Sequence, residues 1–329
     1  MTVALPRPDP SPPGSPVKRA VGEVLSRADR VFRRVTTGAG LSMLAILVVI
    51  GFFLVYRSGP ALDASGFGFF TTIDFDAANG KLGVVGLLYG TVVVALIAVC
   101  VAVPLSILAA LYITEYSSGK LRGFLTGLVD LLAAIPSLLY GLWGFSFLGP
   151  RVAPVSAWLT DNLGWFPPFA QKENALFINS MFIAGLVVSL MVLPITTSVI
   201  REVFTQTPPG EKEAALALGS TRWGMVRTVM LPFGRGGIIG GSMLGLGRAL
   251  GETIAVSLLL PQIPQIATHV LQFGGATISG YIANNSGASG LALSGLMAAG
   301  LVLFVFTLAT NFTASVVISK SRSGAGVDA

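Results

Sequence analysis

Residues 82–114 read LGVVGLLYGTVVVALIAVCVAVPLSILAALYIT, running from Leu82 to Thr114 without an Asp, Glu, Lys or Arg. A helix needs about 20 mostly apolar residues to cross the hydrocarbon of a bilayer. This stretch exceeds that length, and it decides the solvent: the chain folds in a membrane. Working outward, five further stretches read the same way: Ala39 to Tyr56, Gly123 to Leu148, Ala175 to Ile200, Gly236 to Leu260 and Gly290 to Val317. The expectation is an all-α integral membrane protein with six transmembrane helices.

Composition points the same way. Of the 329 residues, 53% are hydrophobic and 11% charged, less than half the roughly 25% charged residues of a soluble domain. A soluble enzyme, a disordered regulator and a secreted disulfide scaffold are thereby excluded. Cys100 is the single cysteine and lies in an apolar run, so neither an intrachain disulfide nor a thiolate metal cluster can form. His269, the single histidine, has no neighbouring Cys or Asp, and the default is a surface side chain with no metal bound. No stretch matches GxxxxGK followed by Ser or Thr, nor HExxH, nor GxSxG. The chain is expected to bind no cofactor, to be no enzyme and to leave nucleotide hydrolysis to another chain.

Sixteen of the 21 Lys and Arg fall on one side of this pattern. They are Arg7, Lys18, Arg19, Arg27, Arg30, Arg33 and Arg34 ahead of the first span, and Lys120 and Arg122 after the second. Arg201, Lys212, Arg222, Arg227 and Arg235 lie between the fourth and fifth, and Lys320 and Arg322 after the last. Arg57, Lys81, Arg151 and Lys172 fall on the other side. Cytoplasmic loops carry the basic excess, which places both termini in the cytoplasm of a multi-pass inner-membrane protein. The net charge of +6 is explained by topology, and no nucleic-acid partner is implied. Residues 1–38, with Pro6, Pro8, Pro10, Pro12, Pro13 and Pro16, read as a disordered basic tail. Residues 39–317 form the transmembrane domain, and 318–329 a short second tail. The outer connections, 57–81, 149–174 and 261–289, are polar, Gly/Asn-rich or aromatic. Trp158, Trp165 and Phe166 around Pro167 and Pro168 suit a segment lying on the headgroups.

Between the fourth and fifth spans, residues 207–232 contain Thr207-Pro208-Pro209-Gly210-Glu211-Lys212-Glu213-Ala214-Ala215 and continue through Gly219 to Leu231-Pro232. Prolines before the start, acids in the first turn and Gly219 as a stop predict a short surface helix. Ala214 and Ala215 give it a small-residue face, suited either to a solvated connector or to close approach by another protein.

Asp130 in the third span, and Arg248 and Glu252 in the fifth, would each cost about 2.5 to 3.5 kcal/mol at the bilayer centre and so must face protein or water. A continuous fifth helix puts Arg248 and Glu252 one turn apart on one face, as a self-neutralising pair. Such a pair serves either packing or an anion path, since the Arg fork suits phosphate-like oxyanions. Gly240, Gly241, Gly245, Gly247 and Gly251 permit tight helix contacts or leave room for a solute.

The order Glu213-Ala214-Ala215, Gly219, Val229, Leu231-Pro232 resembles the EAA loop of ABC importer permeases. The strings Leu246-Gly247-Arg248-Ala249-Leu250-Gly251-Glu252-Thr253 and Ala134-Ile135-Pro136-Ser137-Leu138-Leu139-Tyr140-Gly141-Leu142-Trp143-Gly144 resemble the permeases of phosphate importers, the Pst system. Of its two paired permeases, the wording is that of the C type rather than PstA, over about residues 36 to 320. It departs at the Pro-rich tail and at Pro261-Gln262-Ile263-Pro264. The resemblance implies a type I ABC importer permease fold and ATP-driven import of inorganic phosphate. Arg248, Glu252 and Asp130 would lie on the substrate path, and Glu213, Ala214, Ala215, Gly219, Leu231 and Pro232 would form the ATPase-coupling segment. The implied partners are a homologous PstA-like permease, a PstB-like ATPase homodimer that binds the ATP, and an external PstS-like phosphate-binding protein. A sulfate or molybdate importer is the neighbouring reading, and an ion-coupled secondary transporter the remote one.

Overall fold

A computed structural model describes residues 26–76, 80–170 and 175–322, with side chains up to residue 318. The prolines of the tail, the lysine at 172 and the side chains of Lys320 and Arg322 lie outside the described residues. Residues up to Ile50 and residues from Gly51 onward are two units, each described by itself.

Helix α1 spans Arg27–Ser65, well beyond the expected span of 39–56 and into the stretch expected as tail. Its start is fixed by a reciprocal cap. Asp29 Oδ2 accepts from the Ser26 amide at 3.1 Å, and Ser26 Oγ accepts from the Asp29 amide at 3.2 Å. A 3-10 turn at Gly66–Phe70 follows, then an antiparallel hairpin of β1 (Phe75–Asp76) and β2 (Lys81–Leu82), with Phe75 opposite Leu82. The connection expected as a loop from Arg57 to Lys81 is therefore half helix.

Helices α2 (Val85–Leu111), α3 (Gly119–Ala134), α4 (Ser137–Trp143), α5 (Gly149–Leu163) and α6 (Met181–Thr205) come next. Then come α7 (Pro209–Ala217), α8 (Arg222–Met225), α9 (Leu231–Leu250), α10 (Ile254–Leu259), α11 (Ile278–Asn284) and α12 (Gly290–Arg322). Among the described residues, five helices are long and apolar enough to cross a membrane, or six if α3 and the limb α4–α5 count as one bent span.

The expected straight third span, Gly123 to Leu148, is instead broken, with a 90° bend between the limbs 119–134 and 137–163. Proline disfavours the helical backbone in the residue before it, and Ile135, ahead of Pro136, has ψ 129°. The second limb passes through a π turn at Gly144–Leu148 and ends at Leu163, so most of the expected outer loop from Gly149 is helix. Trp158 and Trp165 are exposed on and just beyond it.

The fifth span also departs from the expectation of one helix over 236–260. It begins earlier, since α8, a π turn at Val226–Met230 and α9 form one helical run over Arg222–Leu250. The Leu231 amide donates to Val226 O, five residues back, directly ahead of Pro232, whose ring an ordinary α-turn carries poorly. The run stops at Leu250, and α10 starts four residues later.

Three apolar clusters follow one another along α2. Leu87 packs with Phe69, Phe75, Leu82, Ala276 and Ile278; Val94 to Ala102 with α6, Ala249 and Leu259; Ala110 and Leu111 with Ile200, Phe204, Met225 and Met230. The segment 261–289, expected as an outer loop, contributes Ala276 and Ile278 to this core and buries Leu271 as well, all three with no exposure at all. Its backbone can enter because α2 presents glycines there. A Cβ at Gly86 would sit 2.9 Å from the carbonyl oxygens of Ile73 and Pro264, and Gly90 abuts the Ala276 carbonyl. The Ile278 amide donates to Thr91 Oγ1 at 2.9 Å, and Thr277 caps α11.

Candidate functional site

Arg248 emerges near the end of α9, exposed and in the middle of the bundle's length, since its neighbour Ala249 belongs to the central cluster. It lines a cavity of ≈ 490 Å³ with Glu252, Gly247, Gly251, Asn311, Ile195 and Leu244. The two charged residues thus share a wall, but not in the manner expected from spacing. Because α9 ends at Leu250, Glu252 lies in the break, not on the helix face of Arg248, and no ion pair joins them among the described residues. Buried Glu252 has another partner: its Oε1 accepts from the Ala255 amide at 3.3 Å, capping α10, while its own carbonyl accepts from Ser279 Oγ at 2.6 Å. Arg248 lines the cavity together with Asn311 of α12. Asn311 was passed over in the sequence, although a lone Asn inside an apolar span is itself a signal.

The glycines of α9 divide between the two uses open to them. Gly234, Gly237, Gly241 and Gly245 recur on one face against Phe204, Val203, Ile200 and Val192, so they let α6 approach closely. Gly247 and Gly251 line the cavity.

The third-span motif holds α10, and through it Glu252, in place. Tyr140 Oη donates to Leu132 O across the bend at 3.0 Å, a second bond to a carbonyl that also accepts from the Ile135 amide at 3.4 Å. Gly141 then meets α10, where a Cβ would lie 2.9 Å from Ala255 Cα. Asp130 is placed elsewhere. Its Oδ1 accepts from Ser198 Oγ at 3.1 Å and lies 3.8 Å from Arg201 Nη2, so its charge partner is Arg201 of α6 and not Arg248. Arg201 lies inside α6 and not in the following loop, where spacing had put it. Ser198 is one turn beyond the cavity-lining Ile195 on that helix.

At the end where α2 finishes, α7 forms as the prolines and acids foretell. Its stop is a complete Schellman motif: Gly219, at φ 84°, donates to Leu216 O and Ser220 to Ala215 O. Among the described residues, no atom beyond its immediate chain neighbours and its own helix lies within 4 Å of a Cβ built on Gly219, so glycine is needed there for its backbone angle. Glu213, Ala214 and Leu218 are exposed, whereas Ala215 turns inward against Met225 and Val226. The small-residue face expected of the two alanines is therefore split. Lys212, counted in the sequence only as a charge, lies 2.6 Å from Glu115. Half-buried His269 has Thr268 Oγ1 at 3.1 Å from its Nδ1.

A family model described as "Binding-protein-dependent transport system inner membrane component" matches residues 102–322. The chain is 39% identical over 304 residues to "Phosphate transport system permease protein PstC 2" of Mycobacterium tuberculosis, covering 91% of this chain and 94% of that protein. It is 38% identical over 316 residues to the PstC protein of Mycobacterium leprae, with 94% and 99% covered. With the PstC protein of Xylella fastidiosa it shares 36% over 299 residues, with 90% and 92% covered. Among solved structures, the fold is similar to a bacterial ABC transporter involved in the import of the acidic polysaccharide alginate, with TM-score 0.52, 19% identity, and 88% of this chain and 99% of that one covered. It is also similar to the inward-facing MetNI methionine ABC transporter, with TM-score 0.50, 16% identity, and 73% and 94% covered.

Proposed function

The chain belongs to the family of binding-protein-dependent transport system inner membrane components and has the type I ABC importer permease fold, and from that premise we propose that it is the C-type permease subunit of an ATP-driven phosphate importer. The observation that carries the reading is an exposed cation, Arg248, in an open cavity midway along an apolar helix bundle, in a chain 39% identical to a phosphate permease. Arg248 supplies a fixed charge and a donor fork for a divalent oxyanion. Glu252 puts a carboxylate on the same wall and limits how tightly the anion is held, because conduction needs binding weak enough to leave. Asp130 acts further along the path through its hold on Arg201.

Helix α7 is the contact for a separate ATPase dimer, with Glu213, Ala214 and Leu218 presented outward and Gly219 fixing its end. Leu231 and Pro232 carry its motion into α9. A homologous permease completes the pore, an external phosphate-binding protein feeds it, and both termini lie in the cytoplasm. The test is uptake of labelled phosphate by the complete importer in proteoliposomes. Arg248→Gln should assemble normally and lose most uptake. If Arg248→Met with Glu252→Leu keeps full uptake at a normal level of complex, the charged wall is packing only and the assignment fails.

A further inference from the structure

Helix α7 turns one narrow face to the rest of the chain. Lys212 and Ala215, three residues apart, point inward, while Glu211, Glu213, Ala214, Leu216 and Leu218 are exposed. Ala215 packs against the apolar cluster in which Met225, Val226 and Met230, of the helical run that becomes α9, meet Ala110 and Leu111 of α2. Lys212 reaches α2 directly. Its Nζ lies 2.6 Å from Glu115 Oε1 at the end of α2, 97 positions earlier, and the two side chains are 20% and 14% exposed. So α7 is fastened twice, by apolar contact to the run feeding α9 and by an ion pair to α2.

Both fastenings fall on π turns, Glu115 in Tyr112–Tyr116 and Val226 with Met230 in Val226–Met230. A π turn interrupts the regular hydrogen-bond ladder and is found mostly at functional positions. Arg122, from the first turn of α3, braces the Glu115 turn by donating to Thr114 O and Ser117 O. An apolar pair would hold α7 in place with less desolvation. What the charged pair adds is a directional link between two elements that nothing in sequence ties together.

We propose that Lys212 and Glu115 are positioning residues through which α7 moves the end of α2 directly, and that without them a stroke of α7 reaches α2 only by way of the apolar run that feeds α9. The inference rests on the reading of α7 as the ATPase contact.

The experiment is a charge series in the complete reconstituted importer: Lys212→Met, Glu115→Gln, Lys212→Arg, and the exchange of Lys212→Glu with Glu115→Lys. The readouts are ATPase subunit retained, ATP hydrolysed and labelled phosphate taken up. Each neutralising variant should keep its ATPase and hydrolyse ATP while moving about fivefold less phosphate per ATP, the low end of couplings between distant sites. Lys212→Arg and the exchange should recover most of that ratio. An unchanged ratio in both neutralising variants overturns the proposal. Loss of the ATPase subunit from them does so too, because the pair then serves recruitment, and so does failure of both rescuing variants. An unmutated complex that takes up no phosphate overturns the functional reading instead.

Discussion

Glu252 performs two tasks that substitution can separate. Its carboxylate caps α10 and charges the cavity wall. Glu252→Gln keeps an acceptor for the Ala255 amide and removes the charge, so the thermal midpoint of the detergent-solubilised complex should hold while phosphate turnover slows. Glu252→Ala removes both, and stability should fall by about 1 kcal/mol as for a lost helix cap. Equal melting of wild type and the Ala variant would show that the cap is idle. Tyr140 gives a second residue-level prediction. Tyr140→Phe keeps the ring and loses the bond to Leu132 O, which should cost about 1 kcal/mol in unfolding free energy.

At the scale of elements, the end of α7 and the seat of α10 make separate predictions. Gly219→Ala forces a side chain into the left-handed region at φ 84° and should weaken that helix end by about 1 to 2 kcal/mol, read as faster amide exchange over residues 214–220. Gly141→Val should overpack α4 against α10 at a cost of about 1 to 3 kcal/mol, lowering thermal stability with little change at α7. These elements also separate what the sequence discloses from what it hides. The start and stop of α7 are written locally, in Pro209, Glu211 and Gly219, and so are legible. The bend at Pro136 is written locally too, but a reading of apolar length alone runs through it. The stop after Leu250 is not, because Gly251 has an ordinary backbone angle and the break is held by Ser279 and by the seat of Ala255 on Gly141. The error carried into the site: a continuous helix pairs Arg248 with Glu252, and a broken one does not. Asp130 with Arg201 and Lys212 with Glu115 are pairings across 71 and 97 positions, beyond any spacing rule.

For the whole molecule, the basic excess predicts an orientation that labelling can check. In a Cys100→Ala background, an impermeant maleimide added to intact cells should modify Asp74→Cys and Asn284→Cys, both at the polar cavity of ≈ 560 Å³ near the start of α2. It should leave Ser220→Cys, beside α7, unmodified until the cells are lysed. The two ends also differ mechanically. At Gly86 and Gly90, α2 lies against main-chain carbonyls with no room for a methyl group, so this end is closely seated, and a push delivered at Glu115 would turn the helix about it. The seated glycines are then a fulcrum and the rest of α2 a lever arm. Glu115 stands at its tip, roughly 44 Å away at 1.5 Å per residue, and the helices around Arg248 contact it part-way along. A wide swing at the tip would therefore arrive at the cavity as a short one, on the scale of opening a gap for a small ion without parting the bundle.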